Sequence, residues 1–243
     1  MGIRLGPEKR YLLEARLKRL LQREKIPSIK EVFQQIIEGN RHMFDILAGY
    51  VTTNHSFFFR EAHHLEFLVE NAHARGPEHQ INIWCSACSS GEEPYSIAIS
   101  LLEKNIDNFC IVASDISKKV LFQASRGVYT RERLSNLSPS ILKRYFIPVG
   151  EGCQRIDERL RSRVRIKQLN LIEPLSFSQP FDYIFCRNVL MYFNRDGLRA
   201  ATDNLIQNLK PNGYLFLGGT DIIGAETKHL KPIKTSVYQR IKD

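Results

Sequence analysis

The chain has 243 residues, 43% hydrophobic and 25% charged, which fits one large globular domain or a small domain followed by a medium one. No apolar run approaches the ~18 residues that a membrane-spanning helix needs, and Met1 to Arg10 holds no apolar stretch of signal-peptide length. Neither membrane insertion nor secretion is therefore expected, and the cytoplasm is. The net charge of +9 suits nucleic acid, an anionic membrane or an acidic protein partner and does not choose among them.

The front of the chain reads as helical. Leu13, Leu17, Leu20 and Leu21 recur at helical spacing over Lys9 to Glu24, with Arg16, Lys18, Arg19 and Arg23 interleaved. Pro27 ends that helix. Ser28-Ile29-Lys30-Glu31 reads as a capping box, opening a helix expected to bury Val32, Phe33, Ile36 and Ile37. Gly39-Asn40 closes it, and a short third helix is expected from Arg41 to Leu47. A linker-like stretch from Gly49 to Ser56 follows. Then come Phe57-Phe58-Phe59, read as packing residues, and a helical segment to about Ala74, broken by Gly76-Pro77.

From residue 80 strands and helices alternate. Strands are expected at Ile81–Cys85, Cys110–Ser114, Val164–Gln168, Phe181–Cys186 and Tyr214–Gly218, the last introduced by Lys210-Pro211-Asn212-Gly213. Helices are expected at Glu92–Lys104, Lys118–Ser125 and Arg195–Leu209. Val237 to Ile241 alternates and could pair antiparallel at the end. This order implies an α/β fold with a parallel sheet covered on both faces. Residues 126 to 163 interrupt the rhythm and read as an insertion.

Five cysteines, an odd number, do not form a disulfide framework. Cys85-Ser-Ala-Cys88 has redox or metal spacing but lacks a second pair or suitably spaced histidines, so buried thiols are expected and no metal. Adjacent His63 and His64 would point to different helix faces and are assigned no site.

Ligands of an open parallel sheet bind at the carboxyl ends of its strands. The first strand runs into Ser86-Ala87-Cys88-Ser89-Ser90-Gly91-Glu92-Glu93-Pro94, whose small residues and glycine allow a close backbone approach. This is neither a dinucleotide fingerprint nor a phosphate loop. Glu92 and Glu93 would repel a phosphate and welcome an ammonium group, although acids also favour the first turn of any helix. Asp115, at the end of the second strand, either accepts hydrogen bonds from ribose hydroxyls or caps the following helix. Asn170-Leu171 and Arg187-Asn188 occupy similar strand-end positions. A glycine-bearing loop and a strand-end acid without a phosphate cradle fit a nucleoside carrying an amino acid, and S-adenosylmethionine is such a molecule.

Four segments carry a resemblance: Thr52 to Glu61 (TTNHSFFFRE), Ser89 to Ala98 (SSGEEPYSIA), Ala113 to Ile116 (ASDI) and Phe185 to Phe193 (FCRNVLMYF). Together they resemble the CheR-type chemotaxis protein glutamate methyltransferases, from about Gly2 to the end. The resemblance implies a small all-α domain followed by a Rossmann-like methyltransferase domain with an inserted β-subdomain. It divides the chain into residues 1–48, a linker at 49–60 that contributes to the cofactor site, and 61–243, with the insertion at about 138–168. It also implies a helix before Lys9 to Glu24, whereas the chain opens at Gly2-Ile3-Arg4-Leu5.

By resemblance, Asn54, Ser56 and Arg60 line the S-adenosylmethionine site from the linker. Glu93, rather than Glu92, meets the methionine amino group, and Asp115 holds the ribose. Asn170 and Leu171 sit by the adenine, and Arg187 and Asn188 close the pocket. Arg60 and Tyr192 orient the incoming carboxylate. The implied substrate is the glutamate-rich helical region of chemoreceptors, approached by the basic front helices. The resemblance implies a monomer and no nucleic-acid partner. A methyltransferase with another protein or nucleic-acid target, and a non-catalytic cofactor-binding regulator, are the rival readings.

Overall fold

The structure, a computed structural model, describes residues 10–52, 54–223 and 228–241. The sequence readings of Met1 to Lys9 and of Thr53 fall outside these residues.

Three helices form the front: α1 (Arg10–Glu24), α2 (Ile29–Ile37) and α3 (Arg41–Val51). The Ser28 hydroxyl caps α2 by accepting from the Glu31 amide, and Asn40 caps α3 by accepting from the Met43 amide at 3.0 Å. Leu20, Val32, Met43 and Leu47 make a small core. Two expectations fail here. Phe33 and Ile37 are not buried: Ile37 is 80% exposed, because α1 and α3 cover only the Val32–Ile36 side of α2. The third helix does not end at Leu47 but runs to Val51, so the linker begins later than residue 49; Tyr50 and Val51 pack on the same small core and carry the helix past Gly49. Arg16 donates to the Val51 and Thr52 carbonyls, a cation at the negative end of α3.

The remaining elements are α4 (Ala62–His73), β1 (Ile81–Cys85), α5 (Glu92–Leu102), β2 (Phe109–Asp115), α6 (Lys118–Arg126), β3 (Val128–Thr130), α7 (Pro139–Tyr145), β4 (Phe146–Gly150), β5 (Cys153–Ile156), α8 (Glu158–Arg161), β6 (Val164–Gln168), β7 (Phe181–Cys186), a 3-10 turn (Leu190–Tyr192), α9 (Arg195–Gln207), β8 (Leu209–Leu217), β9 (Leu230–Lys234) and β10 (Val237–Arg240). The main sheet has the order β6-β2-β1-β7-β8-β10-β9. Its first five strands are parallel, and β10 runs antiparallel to both β8 and β9. This is the Rossmann-like α/β sheet expected, preceded by an all-α domain.

Alternation along the strands divides the core into two faces. Ile81, Ile83 and Cys85, with Tyr183, Phe185 and Phe216, face the cluster that includes α4 and α5. Trp84, Ile184, Cys186, Leu215 and Leu217 face α9. All six residues of β7 are buried, as a central parallel strand requires.

The insertion is a separate sheet of order β3-β5-β4. It starts at Val128, inside the interruption at 126 to 163 read from the sequence and earlier than the 138 that the resemblance implies. It ends before β6, which hydrogen-bonds to β2 and belongs to the main sheet. The stretch Lys210 to Gly213, expected to precede a strand, lies within β8 as a bulge against Phe181–Tyr183. The strand β9 had no readable signal: it is an exposed edge whose single buried residue is Leu230.

The edge of the sheet opposite the strand tips is tied by Asp182. Its fully buried carboxylate accepts from Arg75 and His79 at 3.0 Å, Lys210 at 2.9 Å and the Asn82 amide at 2.9 Å. Burial alone would raise its pKa, but these donors outweigh burial and hold it below the ordinary carboxylate value. The cations are each partly exposed and can reach water if Asp182 is lost. Asp182→Ala should therefore cost roughly 2–3 kcal/mol, read as a lower urea midpoint, while ligand affinity at the far end of the sheet stays near wild type.

Candidate cofactor cleft

Strand order reverses between β1 and β7, where β2 follows on one side and β8 on the other. The loops after β1, β2, β6 and β7 diverge there and open a crevice. Val51, Thr52, residues 54–57 and Arg60 form its linker-side wall. The resulting cleft, about 1160 Å³ of empty space with its mouth included, is lined by all ten residues singled out from the sequence: Asn54, Ser56, Arg60, Glu93, Asp115, Asn170, Leu171, Arg187, Asn188 and Tyr192.

Asp115 ends β2 nearly buried. Its carboxylate accepts from the amides of Ser89 and Ser117, each at 3.0 Å, and burial raises its pKa above the usual value. The N-cap position of α6 is Ser117, not Asp115. Ser89 also lines the cleft, and its buried hydroxyl has no hydrogen-bond partner among the described residues. A buried carboxylate held only by backbone amides, beside an unpartnered hydroxyl, is a surface suited to ligand hydroxyls.

The two acids at the start of α5 separate. Glu93 lines the cleft, where it accepts from Cys85 Sγ at 2.8 Å and from Arg187 at 2.7 Å. Glu92 is fully buried and turns away to Ser90 and Arg133. Gly91, expected to allow a close backbone approach, is not among the residues that line the cleft. Its φ of +96° and the space at its Cα serve packing, since a Cβ there would lie 2.9 Å from the Tyr129 hydroxyl and 3.0 Å from Ala124 Cβ. The Tyr129 hydroxyl in turn donates to the Ser90 carbonyl at 2.8 Å, so the inserted sheet braces the loop from behind.

Arg187 lines the cleft but is only 6% exposed. Its guanidinium donates to Glu93, to Glu61 at 3.2 Å and to the Arg60 carbonyl. Burial would raise the Glu61 carboxyl, yet Arg187 and neighbouring groups bring it below its ordinary value. Glu61 pairs with Arg187 and not with its neighbour Arg60. Glu61 (φ +54°) and Phe59 (φ +56°) both adopt left-handed backbone, and the Phe59 amide is anchored by Ser96 Oγ at 2.9 Å. Of the phenylalanine run, Phe58 is core, packed edge-on against Tyr129 and Phe146, whereas Phe57 is 42% exposed and lines the cleft. Arg60 lies over the Phe57 ring and donates to the His55 carbonyl; among the described residues it makes no ion pair.

Asn170 is held by Glu173 at 3.0 Å, and Leu171 joins Ile116, Leu169 and Val189 in an apolar part of the wall. Cys85 and Cys88 are free and buried, and burial pushes both thiols well above their usual pKa, so they are neutral packing groups. Sequence reading missed Ser89, Glu61 and Asp221. Asp221 accepts from the Gly218 amide at 2.9 Å and from the Asn188 and Met191 amides, and it lies in the loop just after β8 as Asp115 lies at the end of β2.

A doubly wound sheet whose reversal-point cleft holds one acid at the tip of β2 and another in the first turn of α5 suits a nucleoside that carries an amino group, the class of ligand that S-adenosylmethionine-dependent methyltransferases bind. Residues 54–239 match the CheR methyltransferase SAM binding domain, and residues 1–52 the all-alpha domain of the same family. The chain is 35% identical to the chemotaxis protein methyltransferase of Escherichia coli K12, over 100% of this chain and 87% of that one. It is 34% identical to chemotaxis protein methyltransferase 1 of Pseudomonas aeruginosa, over 97% and 90% of the two chains. Against the chemotaxis protein methyltransferase of Borreliella burgdorferi it is 34% identical over 98% and 89%. The chain belongs to the CheR methyltransferase family.

Directly behind this cleft lies His64, fully buried against Phe216 and beside Glu61. Burial, with the nearby Arg187 charge, lowers its pKa from 6.5 to about 4. The unfolded chain therefore binds a proton at His64 before the native protein does. Its contribution to stability is complete above pH 6.5 and is lost as pH falls from 6.5 to about 4, by up to about 3 kcal/mol. Denaturant titrations across that range should show the decline in wild type and a flatter profile in His64→Leu.

Proposed function

We propose that the chain transfers a methyl group from S-adenosylmethionine to glutamate side-chain carboxylates of chemoreceptors, forming methyl esters, and that it acts as a monomer in the cytoplasm. The observation that carries this reading is Arg60: a guanidinium on the cleft wall that makes no ion pair among the described residues and is therefore available to an incoming carboxylate.

The residues fit the cofactor. Asp115 and Ser89 suit its ribose, Glu93 its amino group, and Leu171 with Ile116 its base, while Asn54, Ser56, Asn170 and Asn188 supply polar groups around it. When bound, S-adenosylmethionine supplies an electrophilic sulfonium methyl. A glutamate of ordinary pKa, about 4.3, is already ionised at neutral pH, so the protein does not need a general base. What remains is alignment and exclusion of water, and good alignment can supply ~7–11 kcal/mol of the barrier. Arg60 holds the carboxylate by charge, and Tyr192, on the same wall, orients it. The apolar residues of the wall keep water from the reacting oxygen.

Exposed basic residues of the front helical domain include Lys18, Arg19, Arg23, Lys25, Lys30 and Arg41, which suit an acidic helical partner. Arg16 is withdrawn from this face, because it caps α3. Binding to a receptor fragment should weaken as salt rises through the Debye regime, and salt-insensitive binding would remove these helices from the encounter.

Methyl-labelled cofactor offered to receptor, RNA and DNA tests the assignment. Base-labile label on receptor alone is expected; label on nucleic acid, or cofactor binding with no transfer, would overturn it. Arg60→Ala should lower kcat/KM by about 10²-fold or more with its melting temperature unchanged.

A further inference from the structure

Asp221 is buried, carries a carboxylate that pairs with no cation among the described residues, and has no part in the mechanism above. It sits in the loop after β8, outside the cleft lining. Among the described residues its carboxylate accepts from backbone amides alone: Gly218 and Asn188 at Oδ2, Met191 at Oδ1, with the Leu190 amide also directed at it. All of these donors but Gly218 lie in the short segment 188–191. That segment carries Asn188 into the cleft and starts the 3-10 turn that carries Tyr192.

The segment is not in a relaxed backbone of its own choosing. Asn188 has φ +58°. Opposite it, Gly218 leaves no room: a Cβ there would come within 2.7 Å of the Asn188 backbone nitrogen and 2.8 Å of its Cγ. The turn has no side-chain cap at Val189, so the Asp221 carboxylate does that work from across the loop. On its outer side the Thr220 hydroxyl reaches Met191 Sδ at 3.7 Å, and the two loops pack as one lip. Burial raises the pKa of Asp221, as expected for a charge compensated by amides alone.

We propose that Asp221 is a positioning residue for methyl transfer: its carboxylate holds the 188–191 segment so that Asn188 faces the cofactor and Tyr192 faces the methyl acceptor. This rests on the methyltransferase reading of the cleft. The carboxylate suits this role better than a neutral side chain because it offers acceptors on both oxygens and no donor to oppose the converging amides. Asparagine has the same shape but turns one acceptor into a donor. It can satisfy Gly218 and Asn188 or Met191, but not all three.

The test uses the full chain with receptor as substrate. Asp221→Asn should lower kcat by about tenfold or more and leave KM for receptor near wild type. It should weaken S-adenosylhomocysteine binding severalfold by calorimetry. Hydrogen exchange should accelerate in residues 188–192 and stay unchanged in β1 and β7. Combined with Tyr192→Phe, its effect on kcat should be less than multiplicative, because both act through one ring. Fully multiplicative effects, or a kcat within twofold of wild type, would overturn the proposal. If Asp221→Asn does not fold, Gly218→Ala displaces the same segment without touching the carboxylate, and wild-type kcat in that variant overturns it equally. The S-adenosylhomocysteine measurement separates the two readings. Weakened binding in Asp221→Asn stands even if receptor glutamates prove not to be the methyl acceptor, and unchanged binding with unchanged local exchange sinks the role of Asp221 whatever the acceptor is.

Discussion

The cleft depends on one buried cation. Arg187, at the tip of the central strand, meets Glu93 from the first loop and Glu61 and the Arg60 carbonyl from the linker. A guanidinium is suited to this because its planar fork offers five donors in fixed directions. A buried cation left without partners costs several kcal/mol, so the strand tip, the cofactor loop and the linker are energetically bound to take up their places together. The left-handed backbone at Phe59 and Glu61 is the local cost of delivering the Glu61 side chain and the Arg60 carbonyl to Arg187. The same turn leaves the Arg60 side chain on the cleft wall.

The two edges of the sheet handle buried carboxylates differently. At the edge away from the cleft, Asp182 is surrounded by Arg75, His79 and Lys210, and its charge is matched by charge. At the strand tips, Asp115 and Asp221 are compensated by backbone amides and are shifted the other way by burial. A cation-matched carboxylate is a staple with nothing left to offer. An amide-held one keeps lone pairs for a ligand, as at Asp115, or fixes the path of a loop, as at Asp221. Glu93 lies between these cases, paired with Arg187 and still on the cleft surface.

Much of this was readable before folding. Helix and strand periods located the five parallel strands, four through long buried runs and β6, which buries only Val164, through its apolar–charged alternation, and the capping box at Ser28 marked one helix start. What failed had weak local signals. The strand β9 buries only Leu230, the inserted sheet begins with the three-residue strand Val128–Thr130, and α3 outlasts Gly49 because its neighbours pack on the helical core. The exposure of Phe33 and Ile37 could not be read either: an apolar stripe shows which face of a helix prefers burial, not how much partner surface exists to cover it.

The sequence by itself determined the alternation that buries both faces of the sheet, and the chemistry of the strand-end residues, because both are properties of side-chain type and local period. It also carried the family. Only the tertiary structure decided that Glu92 turns to Ser90 and Arg133, that Gly91 serves packing against Tyr129 and Ala124, and that Arg187 joins Glu61 to Glu93 across residues far apart in the chain. Those outcomes depend on the rotation of α5, on a brace from the inserted sheet and on contacts closed by the linker, and none of these leaves a mark in local periodicity or composition.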